Sequence, residues 1–344
     1  MHITLIPWFT REQRSMPWRD NPIPYYVWIS EMMLQQTQVI TVIPFFERFI
    51  ACFPDIESLA KAELGSVLKL WEGLGYYSRA RNLHKTAQIV VAQYKSQLPS
   101  DYDELQKLPG IGPYIAAAIT SIAFGNPVPV VDGNVMRVCT RFWGIPDDIR
   151  SPKLRDVLFK RLLPEIKASY SPSAFNQGMM ELGALICKPK NPVCTTCPLA
   201  TQCVAFQSQR IAQYPYKSKA KEVPTISVVV GLIYYQDRIL IARRKPTQML
   251  GGLWEFPGGK KLMEESDDPF LIQKVFQETG LRIQITHKLK TIRHAFTHFK
   301  INLTGYECRS ETDQAMPFAS DEVKWILPDR IIDYPFSTAA LRLV

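Results

Sequence analysis

Apolar residues in the first part of the chain recur at the spacing of a helix. Between Tyr25 and Gln207, glycine or proline separates one apolar run from the next. The clearest runs are Ser58–Leu74, Asn82–Tyr94 and Asp103–Leu108. Apolar positions three to four residues apart are typical of amphipathic helices, and Gly and Pro are typical of the turns between them. This region is therefore predicted to be all-α.

The pattern changes after Pro224, where β-branched and alternating residues replace the helical spacing. Runs of this kind, bounded by turn residues, are typical of strands. The predicted strands are Ile226–Tyr235, Arg238–Ala242, Leu281–Ile285 and Lys300–Tyr306. The C-terminal region is therefore predicted to be a smaller α+β domain.

A polar stretch, Ser208–Lys221, separates these two regions. It is rich in lysine and glutamine and contains Pro215, a composition typical of a linker. We predict a multidomain chain, with a helical catalytic domain at 1–207, a linker at 208–224 and an α+β domain at 225–344. The length of 344 residues agrees with two domains, since a domain averages roughly 150 residues.

Composition and charge narrow the class of protein. Hydrophobic residues make up 46% of the chain and its formal net charge is +9. Such a charge favours a polyanionic partner, although a merely basic enzyme fits equally well. Charged residues from Arg11 onward come too early for a secretory signal, and no apolar run of about eighteen residues could span a membrane. We therefore expect a cytoplasmic protein with no membrane partner.

Four of the seven cysteines lie in one short segment. Cys187, Cys194, Cys197 and Cys203 have the spacing C-x6-C-x2-C-x5-C. Grouped thiols in a reducing compartment bind metal more often than they form disulfides. Four cysteines suit either tetrahedral zinc or a 4Fe–4S cluster, and the spacing alone leaves both open.

A glycine-rich turn precedes a helix of small residues. Gly110 and Gly112 lie in Leu108–Tyr114, and the helix Ile115–Ala123 follows. Backbone N–H groups at such a turn can hold a phosphate without reading sequence. A plain helix–helix turn is the alternative. About twenty residues downstream, a Gly/Pro-rich loop leads into Asp132.

Two carboxylates are candidates for acid–base chemistry. Glu31 is a lone acid among apolar residues on a predicted helix, and burial there would raise its pKa toward that of a general acid. Asp132 precedes the predicted helix Val135–Phe142. Cleavage of a glycosidic bond needs a proton donor and a nearby negative charge. A solvated helix face for Glu31 and an N-cap for Asp132 are the alternatives, and a cap can coexist with an anionic role.

The motifs taken together resemble a known family. The segments 30–39 and 73–83, the glycine-rich turn, the loop at Asp132 and the cysteine segment resemble the helix-hairpin-helix DNA glycosylases of the endonuclease III and MutY family. The likeness covers nearly the whole chain. It implies a helix-hairpin-helix glycosylase core with a 4Fe–4S loop held by the four cysteines, and a reaction that removes adenine mispaired with 8-oxoguanine or guanine.

The resemblance also implies roles for individual residues. Glu31 would protonate the adenine and Asp132 would stabilise the sugar cation. Tyr114 and Asn134 would orient that pair. The residues that would contact DNA or the extruded base are Gln36, Tyr76, Gly110, Gly112, Trp18, Arg19 and Gln177. Endonuclease III relatives carry a lysine nucleophile where this chain has Tyr114, and a phenol forms no Schiff base. We therefore expect base removal without efficient strand cleavage, by an enzyme whose simplest form is a monomer.

The C-terminal region resembles a Nudix domain that has lost its metal chemistry. Gly259, Glu265, Glu278 and Gly280 fit the Nudix box, whereas its central Arg-Glu pair is Gln273-Lys274 and the first Glu of its later pair is Gln277. Divalent metal binding needs those carboxylates, so hydrolase activity is not expected. The resemblance implies instead that Phe296, Thr297 and His298 contact the 8-oxoguanine.

Three other functions are alternatives to adenine excision, and each conflicts with particular residues. A bifunctional pyrimidine-damage glycosylase of the endonuclease III type conflicts with Tyr114. A non-catalytic lesion-binding protein would not need Glu31 and Asp132. Nudix-type nucleotide hydrolysis conflicts with Lys274 and Gln277. The expected partner is double-stranded DNA with an adenine opposite 8-oxoguanine or guanine.

Overall fold

The computed structural model describes residues 1–219, 222–262 and 264–344. The chain divides into two compact units. The first comprises residues 1–60 and 85–220, and the second comprises residues 61–84 and 221–344. The segment 61–84, which lies within the predicted helical domain, therefore groups with the C-terminal region.

Helices dominate the chain up to residue 207. They are α1 (His2–Glu12), α2 (Pro17–Asp20), α3 (Pro24–Leu34), α4 (Val39–Cys52), α5 (Ile56–Lys61), α6 (Leu64–Leu70), α7 (Ser78–Gln93), α8 (Tyr102–Gln106), α9 (Pro113–Ala118), α10 (Gly133–Trp143), α11 (Pro152–Lys167), α12 (Pro172–Leu185) and α13 (Val204–Gln207). A π-helical turn, Ile119–Ala123, continues α9. The run Ser58–Leu74, which has helical spacing, is divided between α5 and α6, and Glu63 has an extended backbone and precedes α6 as its N-cap.

The core of the first unit lies between its first helix and its last long helices. Leu5 and Phe9 on α1 are buried in the same cluster as apolar residues of α10, α11 and α12. Gly178 lets α1 come close to α12, because a Cβ atom there would lie 3.1 Å from Phe9 Cβ and 3.2 Å from Leu5 Cγ. Burial of a large apolar side chain is worth about 1.5–3 kcal/mol, so this cluster holds α12 and α10 in fixed positions.

The second unit is built on a mixed sheet. Its strands are β1 (Thr225–Tyr235), β2 (Arg238–Arg243), β3 (Trp254–Glu255), β4 (Gly258–Lys261), β5 (Ile283–Ala295), β6 (Lys300–Ser310) and β7 (Glu322–Ile326). The order is β3-β2-β1-β6-β5, with β4 paired to β1 and β7 to β2. Strands β1 and β6 are parallel, with Thr225 opposite Lys300. The unit is α+β, as predicted.

Alternating residues of β1 face two separate apolar clusters. Val229 and Ile233 pack with Leu271 and Val275 of α14 (Asp267–Thr279). The intervening residues, among them Val230 and Leu232, pack in a second cluster that includes α15 (Thr338–Leu341). This period of two explains the nearly continuous apolar run of β1, since both faces of the strand are covered. Within the described ranges, no helix has the length and apolar character that crossing a bilayer requires.

Candidate active site

Glu31 lies on α3, a helix that is buried on almost every side. Trp28, Ile29 and Met32 around it are almost inaccessible, and Glu31 itself is only 5% exposed. The Tyr114 hydroxyl donates a short hydrogen bond to Glu31 Oε2. The pKa of Glu31 is raised from 4.5 to about 7, chiefly by burial and also by the charge of Asp132, while the hydrogen bond from Tyr114 and the charge of Arg19 act in the opposite direction. A carboxyl group with this pKa can carry a proton near neutral pH.

Asp132 is the N-cap of α10. Its Oδ1 accepts from the Val135 backbone N–H at 2.7 Å, and its Oδ2 accepts from Asn134 Nδ2 at 2.9 Å. Burial raises the pKa of Asp132 above its usual value, while the hydrogen bonds from Val135 and Asn134 act in the opposite direction by favouring the anion. The N-cap role is therefore observed, and it does not prevent the carboxylate from having a second role.

Asn134, in the first turn of α10, is fixed by contacts with Arg137 on the same helix and with Gly183 on α12. Arg137 donates to Asn134 Oδ1 at 2.8 Å and also to the carbonyls of Gly183 and Cys187, each at 2.8 Å. A Cβ atom at Gly183 would lie 2.6 Å from Asn134 Cβ, so only glycine permits this approach. Sequence reasoning did not identify Arg137 or Gly183, since neither has a local pattern that marks it.

Both carboxylates line one cavity of about 580 Å³ in the first unit. A pocket of this size can enclose a small ligand. The predicted residues that share its lining are Glu31, Tyr114, Asp132, Asn134, Trp18, Arg19 and Gln177. The structure therefore brings together the two predicted catalytic carboxylates, the residues predicted to orient them and the residues predicted to contact the extruded base.

A charged network forms another wall of this cavity. Arg19 donates to Gln177 Oε1 at 2.9 Å and lies 3.3 Å from Glu181 Oε2. Arg14 contacts both oxygens of the buried Glu181, at 2.7 and 2.9 Å. Burial alone would raise the pKa of Glu181, but the hydrogen bond from Arg14 and the charge of Arg19 lower it below the usual value. Arg14 and Glu181 were not predicted from the sequence, because they meet only in the folded chain.

The predicted hairpin is present between α8 and α9. Gly110 has φ 79°, a left-handed conformation that favours glycine, and Gly112 is the N-cap of α9. Thr86 on α7 donates from its hydroxyl to the Pro109 carbonyl at 2.8 Å, which fixes the turn. Gln36, at the end of α3, is exposed and also has a positive φ, 60°. Such conformations are uncommon for residues other than glycine and often occur at functional sites.

In the second unit, two predicted DNA-contacting residues meet. The Tyr76 and Thr297 hydroxyls lie 2.7 Å apart, although 221 residues separate them. Tyr76 has φ 48° and is 44% exposed. Phe296 stacks on Phe299 with ring centroids 4.8 Å apart, and His298 is exposed on the same turn between β5 and β6.

The Nudix-like region contains a cavity of about 420 Å³, and two carboxylates that line it form ion pairs with basic side chains. Lys274 lies 2.9 Å from Glu278 Oε1, and Glu278 Oε2 accepts from the Gly258 backbone N–H at 3.0 Å. Arg244 forms an ion pair with Glu255 in the same cavity. A cation thus occupies the position where the Nudix box would supply a metal-binding carboxylate.

The four cysteines of the C-x6-C-x2-C-x5-C segment line one small apolar cavity of the first unit. Cys187 Sγ lies 3.3 Å from Arg141 Nη1, and Cys203 Sγ lies 3.5 Å from the Arg141 carbonyl oxygen. Across the residues that the structure describes, no three His, Cys, Asp or Glu side chains are close enough to hold a metal ion. Four thiols around an apolar cavity fit an iron–sulfur centre by donor type.

Comparison with known proteins gives a family match for the helical region and another for the α+β region. Residues 29–165 match the HhH-GPD superfamily of base excision DNA repair proteins, and residues 228–344 match the NUDIX domain. A thermostable thymine-DNA glycosylase superimposes with a TM-score of 0.54 at 26% identity, over 60% of this chain and 94% of that one. An endonuclease III–DNA covalent intermediate gives 0.51 at 25% identity, over 60% and 93%.

Whole-chain relatives are more specific. An adenine DNA glycosylase of Buchnera aphidicola (from Schizaphis graminum) is 36% identical over 292 residues, or 85% of this chain and 82% of the relative. The adenine DNA glycosylase of Homo sapiens is 31% identical over 393 residues, or 98% and 72%. Likeness of this extent includes both the helical and the Nudix-like region. The chain therefore belongs to the adenine DNA glycosylase (MutY) family of helix-hairpin-helix base excision repair proteins.

Proposed function

We propose that this chain hydrolyses the N-glycosidic bond of adenine mispaired with 8-oxoguanine or guanine in duplex DNA. The observation that carries the proposal is a single cavity lined by Glu31 and Asp132, in which the pKa of Glu31 is raised to about 7. Glu31 protonates adenine on N7, so that the base departs as neutral adenine. Asp132 stabilises the positive charge that develops on the sugar. Water then adds to the sugar, and its proton returns to Glu31.

The target nucleotide must leave the stack, because this bond cannot be reached inside a duplex. Trp18, Arg19 and Gln177 are proposed to contact the extruded base, since they line the same cavity. Gln36 and Tyr76 are proposed to enter the stack beside the lesion, and their exposure and left-handed backbones support this role. Gly110 and Gly112 are proposed to hold a phosphate at the hairpin.

The proposed reaction stops at base removal. The position of the lysine nucleophile of the endonuclease III type carries Tyr114, and its hydroxyl is committed to Glu31. Burial raises the pKa of Tyr114 well above its usual value, so the phenol stays protonated and non-nucleophilic. The competing assignment, a bifunctional pyrimidine-damage glycosylase, therefore finds no nucleophile at this position.

The second unit is proposed to recognise 8-oxoguanine rather than to hydrolyse nucleotides. The Lys274–Glu278 ion pair argues against a divalent metal at the box. The turn with Phe296, Thr297 and His298 is proposed to contact the lesion. The hydrogen bond between Thr297 and Tyr76 supports a joint role for these two residues.

Cys187, Cys194, Cys197 and Cys203 are proposed to hold a 4Fe–4S cluster. Their shared cavity supports a single metal centre, and the family membership supports iron–sulfur over zinc. When bound, the cluster would supply a structural crosslink for a loop that carries Lys188 and Lys190. Iron content of about four per chain and absorbance near 400 nm would support the assignment, and stoichiometric zinc would refute it. A monomeric, cytoplasmic enzyme remains our prediction.

The decisive test is excision from duplexes that differ only in the base opposite adenine. We expect release opposite 8-oxoguanine and guanine, little release opposite thymine, and intact strands until base treatment. Glu31→Gln should bind the same duplexes without releasing adenine. Strand nicking without base treatment would favour the bifunctional alternative, and binding without any release by the unmutated protein would favour a lesion-binding protein.

A further inference from the structure

Asn176 lies on α12 next to Gln177, but it is not one of the residues that line the cavity. Its side chain is 1% exposed. Its Oδ1 accepts from the Val130 backbone N–H at 3.0 Å. Its Nδ2 donates to the Val128 carbonyl and to Ser121 Oγ, each at 2.8 Å. One buried amide thus binds two points of the loop that ends at Asp132.

The third contact of Asn176 connects this loop to the helix of Tyr114. Ser121 belongs to the π-helical turn that continues α9, and its hydroxyl donates to the Ala117 carbonyl at 2.7 Å. Tyr114 lies in the first turn of α9 and donates to Glu31. The segment that supplies Asp132 and the helix that orients Glu31 therefore meet at one side chain.

We infer that Asn176 is a positioning residue that fixes Asp132 relative to the Glu31–Tyr114 pair. The inference rests on the proposed function, because it concerns the same two carboxylates. Val130 lies two residues before Asp132, and the loop around it has no regular secondary structure. Hydrogen bonds to a buried amide can hold such a loop in one register, whereas loss of the amide leaves buried backbone groups without partners.

The relation between the two carboxylates gives a specific signature. Burial is the main cause of the raised pKa of Glu31. Among the groups that face Glu31, the negative charge of Asp132 also raises this pKa, whereas the Tyr114 hydroxyl and the charge of Arg19 lower it. If the loop moves and Asp132 withdraws, its contribution falls and the pKa of Glu31 falls with it. The alkaline limb of the rate profile should then shift to lower pH. A residue that supports only the stability of the unit would change the melting temperature and leave this limb in place.

The test compares Asn176→Leu with the unmutated enzyme in single-turnover excision of adenine opposite guanine. We expect the rate to fall at least tenfold and the alkaline limb to move to lower pH. Affinity for the duplex, measured in a Glu31→Gln background so that no base is released, should change less than twofold. Asn176→Ser keeps a small polar group and should show the same shift to a smaller extent, which covers a Leu variant that fails to fold.

Tyr25→Phe is the matched control, since it removes a buried hydrogen bond from the Tyr25 hydroxyl to the Phe53 carbonyl in the same unit. It should lower the melting temperature and leave the limb unmoved. Unchanged rate and limb in both Asn176 variants would overturn the inference, as would a rate loss with an unmoved limb. Failure of the proposed function is distinguishable, because the unmutated enzyme would then release no adenine.

Discussion

The cavity at Glu31 and the cavity of the Nudix-like region are both lined by carboxylates, but the partners of these carboxylates differ. In the first unit, Glu31 is hydrogen-bonded by a neutral phenol, and its pKa is raised to about 7. In the second, Glu278 is paired with Lys274 and Glu255 with Arg244. A carboxylate that forms an ion pair with lysine or arginine already has its charge balanced, so it attracts a divalent metal ion less strongly. Neutral partners leave a carboxyl group able to exchange a proton, which is why chemistry is expected only in the first cavity.

The comparison is tested most severely by removing one carboxyl group from each cavity. Glu31→Gln keeps an acceptor for Tyr114 but removes the proton donor, so single-turnover excision should fall by about 10²- to 10⁴-fold, the usual worth of general acid catalysis. Glu278→Gln should leave excision within about twofold of the unmutated rate. A large loss from the Glu278 variant, or retained turnover in the Glu31 variant, would contradict the division between the cavities.

The same Glu31 substitution should stabilise the protein at alkaline pH. The pKa of Glu31 is raised from 4.5 to about 7 in the folded state. The unfolding free energy of the unmutated protein therefore falls as pH rises through this range, because Glu31 must then be ionised in a buried position. Gln carries no charge, and it should therefore gain up to the order of 3 kcal/mol in unfolding free energy above pH 7. Thermal unfolding of both proteins at pH 5 and pH 8 measures this gain. If the two proteins differ in stability by the same amount at pH 5 and at pH 8, the pKa of Glu31 is not raised.

Activity should titrate with the same group. The protonated form of Glu31 is the acid, so single-turnover rates should fall about tenfold per pH unit above pH 7. The hydrogen bond from Tyr114 lowers the pKa of Glu31, and Tyr114→Phe should therefore move the alkaline limb to higher pH. A rate profile measured from pH 5 to pH 9 for both proteins is the test. A limb that moves to lower pH would assign the titration to another group.

Local sequence patterns predicted much of this architecture. The helical and strand regions, the N-cap at Asp132 and the hairpin glycines follow from short-range rules, and the family likeness is confirmed. The sequence also marked Glu31 as a lone acid among apolar residues, but it left a buried and a solvated position open, and the structure buries it. These features depend on residues that are neighbours along the chain, and hydrophobic period and capping chemistry encode them directly.

Contacts between distant segments could not be predicted in the same way. Arg14 and Glu181 are separated by 167 residues, and no pattern in either segment marks their ion pair. The need for glycine at Gly183 depends on the approach of Asn134 from another helix. The segment 61–84 groups with the C-terminal unit although its apolar period is that of the helical region. Such contacts depend on how distant segments pack in the folded chain, and the periodicity of apolar residues along the sequence does not predict them.

The smallest expected effect tests the recognition role of the second unit. Thr297→Val keeps the shape of the side chain but removes the hydroxyl that bonds Tyr76. A single hydrogen bond is worth about 0.5–1.5 kcal/mol, so the preference for 8-oxoguanine over guanine should fall by about two- to twelvefold. The excision rate of adenine opposite guanine should not change, because Glu31 and Asp132 lie in the other unit.

Thr291→Val provides the control for this substitution. It removes a hydroxyl contact of 3.0 Å between Thr291 on β5 and Thr304 on β6, the two strands joined by the turn that carries Thr297. It should leave the preference intact. If both variants lose preference equally, the effect belongs to the stability of the strand pair rather than to the Thr297 hydroxyl. If Thr297→Val alone slows excision opposite guanine as strongly as opposite 8-oxoguanine, the second unit takes part in the chemistry. The division between a reacting first unit and a recognising second unit would then no longer hold.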